Sequence, residues 1–217
     1  MSVGENIKKY QELLGENVQL VAVSKTKPIE ALIEAYEAGQ RVFGENKVQE
    51  MVSKWEALPK DIQWHMIGHV QTNKIKYMAP FVSVVHGVDR LKVLKELDKQ
   101  AQKVDRVIDC LLQIHISEEQ TKFGFDPEEM KVLLPELNTY SNVRVRGLMG
   151  MATNTSDKDQ IKQEFMHLRE LFEQFAQKQQ WDMLSMGMSG DYQIAIQAGS
   201  THVRIGSAIF GARNYAV

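Results

Sequence analysis

A single cysteine, Cys110, occurs in the 217 residues, so no disulfide framework can be closed within the chain. It sits in the apolar run Ile108 to Leu112 and reads as a small core side chain rather than a nucleophile or ligand. That usage favours a reducing compartment. Prolines are few, and no Gly/Ser-rich or low-complexity stretch divides the sequence, so one domain spanning 1–217 is expected. No run approaches about 18 continuous apolar residues, and Met1 to Gly15 is polar with a helical pattern, unlike the apolar centre of a signal peptide. A cytoplasmic location without a membrane partner is the expectation. An excess of basic charge is also missing: the formal net charge is -2, which gives no reason to expect nucleic acid. No His, Cys or carboxylate spacing argues for a metal.

What is present is an alternation of short apolar runs with longer amphipathic segments, the pattern of parallel β/α units. Eight candidate strands run Gln19 to Val23, Arg41 to Phe43, Gln63 to Ile67, Val82 to His86, Arg106 to Ile116, Val143 to Leu148, Met183 to Met186 and His202 to Ile205. Helical spacing of apolar residues marks Ile29 to Glu37, Lys47 to Ala57, Leu91 to Lys103, Pro127 to Leu137, Asp159 to Gln179 and Tyr192 to Ala198, and an extra helix, Ser2 to Leu14, precedes the first strand. Eight such units predict an α/β fold, a (β/α)8 TIM barrel, with a doubly wound open sheet as the alternative.

In a barrel the residues following each strand converge on one rim. Lys25 follows the apolar run ending at Val23, with Pro28 suited to the first turn of the next helix. A lysine held there among apolar walls loses part of its preference for the charged form, and a neutral amine attacks aldehydes; a solvated loop lysine is the plain alternative. Across the rim, Gly187-Met188-Ser189-Gly190-Asp191 opens onto a helix, a place where backbone N–H groups favour an anion. Simple capping by Ser189 or Asp191 would also explain that turn. Arg204-Ile205-Gly206-Ser207 after the last strand adds a second glycine and hydroxyl, and barrels often bind phosphate after strands seven and eight. An amine facing a phosphate cradle fits a ligand with an aldehyde at one end and a phosphate at the other, pyridoxal 5'-phosphate (PLP).

Five blocks carry a closer likeness: Ala22-Val23-Ser24-Lys25-Thr26-Lys27, Phe43-Gly44-Glu45-Asn46-Lys47-Val48-Gln49-Glu50, Trp64-His65-Met66-Ile67-Gly68-His69-Val70-Gln71-Thr72-Asn73-Lys74, Leu184-Ser185-Met186-Gly187-Met188-Ser189, and 199–211 from Gly199 to Gly211. In them the sequence resembles the pyridoxal phosphate homeostasis proteins, a family of PLP binders related to the amino-terminal barrel of alanine racemase. The resemblance implies that Lys25 carries the internal aldimine, that Asn46 lies near the ring, and that Ser189, Gly206 and Ser207 hold the phosphate. It implies that Arg204 faces the pyridine nitrogen, where a guanidinium cannot share a proton and so disfavours a quinonoid. The same resemblance implies a role in vitamin B6 and amino-acid homeostasis as a monomeric carrier or buffer, with PLP-dependent apo-enzymes as recipients and no catalytic residue of its own.

Several residues are expected to be plain. His65 is read as a hydrogen-bonded core histidine, Asn73 and Lys74 as exposed residues of a helix start, Lys27 as a solvated neighbour, and Met149, Met151, Met183, Met186 and Met188 as packing beneath the site. An ion pair between Arg204 and a rim carboxylate such as Glu45 is the competing reading for that arginine. Two stretches depart from the family pattern, Gln113 to Phe125, with His115 where asparagine is frequent, and Met149 to Thr153. A PLP-dependent racemase or decarboxylase is the alternative activity. It needs a second proton carrier, for which His69 or Tyr192 is available, because the racemases take theirs from a further β-rich domain. A Schiff-base aldolase on the same barrel is a third reading.

Overall fold

The computed structural model describes residues 1–119 and 123–212. The departing stretch from Gln113 to Phe125 therefore lies partly outside the described residues, at 120–122. Eight parallel strands close into one barrel in chain order: β1 (Gln19–Val23), β2 (Val42–Glu45), β3 (Gln63–Met66), β4 (Val84–Val88), β5 (Ile108–Gln113), β6 (Val143–Met149), β7 (Met183–Met188) and β8 (His202–Ile205). Closure comes from β8 pairing with β1, in the register Val21↔Arg204 and Ala22↔Ile205. The open doubly wound sheet is thereby replaced by the barrel.

The helices are α1 (Val3–Leu14), α2 (Ile29–Glu37), α3 (Val48–Ala57), α4 (Ile75–Met78), α5 (Leu91–Lys103), α6 (Pro127–Leu133), α7 (Lys158–Gln179), α8 (Tyr192–Gln197) and α9 (Ser207–Phe210). Three of them, α1, α6 and α7, begin at a side-chain cap. Before α1, the Ser2 hydroxyl accepts from the Glu5 amide while the Glu5 carboxylate accepts from the Ser2 amide, a capping box. The stripe Ile7, Tyr10 and Leu14 then faces inward. Asp126 and Glu129 make the same reciprocal cap on α6, with Pro127 in its first turn.

The differences from the sequence reading have local causes. β2 extends through Gly44 and Glu45, both buried, so a carboxylate expected on the rim belongs to a strand. β4 starts two residues later than its apolar run: the Val82 amide still bonds back to the Met78 carbonyl of α4, and only the Ser83 amide reaches β3, at the Trp64 carbonyl. The helix at 127 gives way to a 3-10 turn, Leu134–Thr139, where Pro135 offers no amide to continue the α ladder. Pro28 is the residue before α2 rather than within it, extended at φ -69° and ψ 158°. Short helices α4 and α9 were too brief to show periodicity.

The core is the barrel interior together with the seam between strands and helices, filled by large buried side chains such as Trp64, Phe43, Phe165 and Leu97. Cys110 is fully buried, as its surroundings predicted. Met149 and Met183 pack with Val84 and Leu111, whereas Met188 is 40% exposed and reaches the rim. One glycine fixes a strand contact: Gly147, at φ +148°, would place a Cβ 1.9 Å from the Met183 carbonyl oxygen. Gly147→Ala should therefore part β6 from β7 and cost about 1–3 kcal/mol, read as a lower urea midpoint. An unchanged midpoint would show that the two strands tolerate the separation.

Candidate functional site

At the carboxyl rim a cavity of about 280 Å³ opens between the turns that follow β1, β2, β7 and β8. Lys25, Asn46, Ser189, Arg204, Gly206 and Ser207, contributed by all four, line it together. Residues up to 182 positions apart in sequence thus share one small space. Lys27, read as solvated, lines it too and donates from Nζ to the carbonyls of Gly211 (3.0 Å) and Ala212 (2.8 Å).

The turn carrying Lys25 is fastened from below. Lys54 of α3 sends its buried Nζ to the Ser24 carbonyl and to Oε1 of both Glu45 and Glu50, each at 2.7 Å. The Ser24 hydroxyl donates to Glu45 Oε1 at 2.6 Å, and the Thr26 amide donates to Glu50 at 2.6 Å. Thr26 takes a left-handed conformation, φ +62°, which this anchorage holds in place. Burial raises the Glu45 carboxyl above its ordinary range, with Lys54 pulling against it. Such a buried pair adds little net stability, but removing one partner strands the other charge, so its geometry is strongly specified. Asn46 is set by a contact of similar strictness: a Cβ on Gly68 would meet the Asn46 carbonyl oxygen at 2.5 Å.

Opposite, two loops are joined by one bond, the Gly206 amide donating to Ser189 Oγ at 3.2 Å. Acting as acceptor there, the Ser189 hydroxyl keeps its own hydrogen to donate. The simple capping reading fails for both residues: the Asp191 carboxylate makes no bond to the α8 amides and instead accepts from the Met188 amide, and the Ser189 hydroxyl is engaged by Gly206.

Arg204 forms the floor. It is 4% exposed and donates to the Ser185 carbonyl (2.9 Å), the Ser185 hydroxyl (2.7 Å) and the Gly150 carbonyl (3.0 Å). The expected alternative, an ion pair with Glu45, is not formed, since Glu45 is engaged by Lys54. Burial pulls the guanidinium down to about 10, with Asp191 opposing, so it stays charged at neutral pH. A buried cation held by neutral oxygens makes the cavity attractive to an anion.

Beneath Arg204 lies a run of buried polar groups. Ser185 Oγ contacts His86 Nδ1 at 3.0 Å, and His86 Nε2 contacts His65 Nδ1 at 2.9 Å, a separation with room for one hydrogen between the rings. His65 is therefore the core histidine the sequence reading expected. Burial lowers it to about 3, lowers His202 to about 4, and holds His86 well below its ordinary value.

His69 stands outside this cavity. Its Nδ1 is 2.7 Å from Asp89 and its ring stacks on Phe123 at 3.9 Å. Asn73 is exposed and Lys74 partly so, at a 3-10 turn Thr72–Lys74 leading into α4. Tyr192 packs edge-on against Tyr10 of α1, 5.7 Å between ring centroids. Neither His69 nor Tyr192 is among the residues lining the cavity with Lys25. The residues missed were Lys54, Ser185, His86 and Gly150. Lys54 resembles a surface i, i+4 partner of Glu50, and nothing in the spacing of the other three foretold a shared interior.

The alanine racemase amino-terminal domain family matches residues 2–214. The chain belongs to that family. Its curated relatives named pyridoxal phosphate homeostasis protein include one from Vibrio alginolyticus, 45% identical over 92% of this chain and 88% of the relative, and one from Aquifex aeolicus, 40% identical over 93% and 90%. This chain is thus also a member of the pyridoxal phosphate homeostasis proteins. Among solved structures, PipY of Synechococcus elongatus with PLP bound is 34% identical, with a TM-score of 0.89 over 97% of this chain and all of that one. Alanine racemase from Bartonella henselae shares the fold at 14% identity and TM-score 0.74, and this chain spans 60% of its length.

The buried histidines set a pH dependence. Each has a folded value below its unfolded value near 6.5, so the unfolded chain binds more protons below that pH and stability falls as pH drops. Between pH 7 and pH 5 each should cost about 1–2 kcal/mol, read from urea unfolding at the two pH values. Equal stability at both would show that these rings are solvated.

Proposed function

We propose that this protein binds pyridoxal 5'-phosphate in the rim cavity and serves PLP homeostasis as a carrier or buffer, with the whole of 1–217 acting as one domain. The observation that supports this most is the joint lining of a single cavity by an amine, Lys25, and by the Ser189, Gly206 and Ser207 turns, above the buried Arg204 cation. The residues fit the group. PLP has an aldehyde and a dianionic phosphate, and the cavity offers a nucleophile at one side and hydroxyl and backbone donors at the other. When bound, PLP supplies an electrophilic carbon that an amine can hold reversibly.

In this reading Lys25 holds the aldehyde carbon through Nζ, and Ser189, Gly206 and Ser207 hold the phosphate. Asn46 borders the ring. Arg204 would face the ring nitrogen and, being charged at neutral pH, would give up no proton there, so the residue would not favour deep electron withdrawal into the ring. That restraint suits storage of a reactive aldehyde better than turnover. Racemisation or decarboxylation would need a second positioned proton carrier. His69 is tied to Asp89, Tyr192 is packed on Tyr10, and Lys27 is clasped to two carbonyls. The carrier reading therefore leads the racemase, and apo-enzymes would receive the cofactor from a monomeric cytoplasmic protein. Among the described residues no helix is long and apolar enough to cross a membrane, and no cluster of three or more His, Cys, Asp or Glu is placed to hold a metal ion.

Titrating PLP into ligand-free protein should give a saturable visible band in the wild type. Lys25→Ala should lose that band yet retain weak binding, at least tenfold poorer, that inorganic phosphate displaces. A full band in Lys25→Ala would move the anchor to another lysine, and turnover of amino-acid enantiomers by the wild type would replace the carrier with an enzyme.

A further inference from the structure

The two sides of the cavity come from opposite ends of the chain, the amine side from the turn after β1 and the hydroxyl side from the turn before α9. Lys27 ties them together. Its ammonium donates to the carbonyls of Gly211 and Ala212 across 184 and 185 residues of sequence, at 3.0 and 2.8 Å. Gly211, at φ +78°, is where α9 stops, so the charge of Lys27 meets the two carbonyls just beyond the negative end of that helix.

α9 has only four residues, and its internal bonds are those from the Ile209 and Phe210 amides to the Gly206 carbonyl. So short a helix does not hold its own position. It is placed by burial of Ile209 and Phe210, by Asn6 Nδ2 donating to the Ile209 carbonyl at 2.9 Å, by Gly206 packing so close to Val23 that an added Cβ would lie 3.2 Å from it, and by the Lys27 clasp. Of these, the clasp alone reaches α9 from the turn that bears Lys25. The Lys27 amide donates to the Ser24 carbonyl at 3.0 Å, and Thr26 between the two lysines is fixed by Glu50. The backbone of the Lys25 turn is thus held independently of the Lys27 ammonium, which is free to act on the far side.

We propose that Lys27 is a positioning residue that sets the span between the Lys25 amine and the Gly206–Ser207 turn, so that a ligand held at both ends gains its full phosphate affinity. This rests on the reading of the cavity as a PLP site. A rigid ring carries its aldehyde and its phosphate at a fixed separation, and two attachments reinforce each other only when the protein presents them at that separation beforehand. Without the clasp the phosphate-side turn must be ordered during binding, and the second attachment loses strength.

The test compares full-length wild type, Lys27→Met and Lys27→Arg with two probes, PLP and pyridoxal, which has the aldehyde but no phosphate. The ratio of their dissociation constants measures what the phosphate contributes. Lys27→Met should cut that ratio about tenfold, the scale of a lost charge-assisted hydrogen bond, and leave pyridoxal affinity within about threefold. Lys27→Arg keeps the cation and should restore the ratio. In the ligand-free protein, amide hydrogen exchange across 206–212 should quicken in Lys27→Met and return in Lys27→Arg. An unchanged ratio in Lys27→Met, with the phosphate advantage present in wild type, overturns the proposal and leaves the PLP reading standing. A reduced ratio with unchanged exchange also overturns it, because Lys27 would then touch the phosphate directly. A wild type that binds neither probe overturns both readings.

Discussion

Pairing of β8 with β1 is the contact on which the site depends. It closes the barrel, and its register places Val21 beside Arg204 and Ala22 beside Ile205. The turns that follow then rise side by side, with Lys25 on one and Gly206 on the other, close enough that a Cβ on Gly206 would press on Val23. A parallel barrel gathers all its strand ends on one rim, so the first and last units of the chain build a single cavity. An open sheet would have left them at separate edges.

Charge buried around that rim does two different jobs. Lys54 draws Glu45, Glu50 and the Ser24 carbonyl into one group that pins the Lys25 turn, with Oε2 of Glu45 left buried and unbonded. Arg204 is the opposite case, a buried cation satisfied by serine and glycine oxygens, with its positive charge left to act on the cavity. Neutral histidines beneath it complete the interior without adding charge of their own. The first arrangement fixes the turn that carries the Lys25 amine; the second places a buried positive charge beside it.

Most of the fold was legible in the order of apolar runs, because parallel strands covered on both faces read as continuous hydrophobic stretches. All eight strands fell near their predicted places, and α1 lies within the helix expected from Ser2 to Leu14. What the pattern missed was polar. Glu45 is a buried strand residue turned toward Lys54 of α3, and a hydrophobicity reading ends a strand when it meets such a residue. Lys25, Ser189, Gly206 and Ser207 were legible because each follows a strand and carries an amine, a hydroxyl or a glycine, whereas the roles of Asn46 and of Arg204, which lies within β8, came from the family resemblance. Lys54 and Lys27 were passed over because a lysine on a helix or in a turn looks solvated until its partners, distant in sequence, are seen.

The most direct measurement is borohydride reduction of the PLP-loaded protein followed by peptide mass mapping. A single reduced adduct on the peptide containing Lys25, with loss of the visible band, is the predicted result. Reduction that leaves no adduct, or places it on another lysine, would contradict the assignment of this rim cavity as the cofactor site.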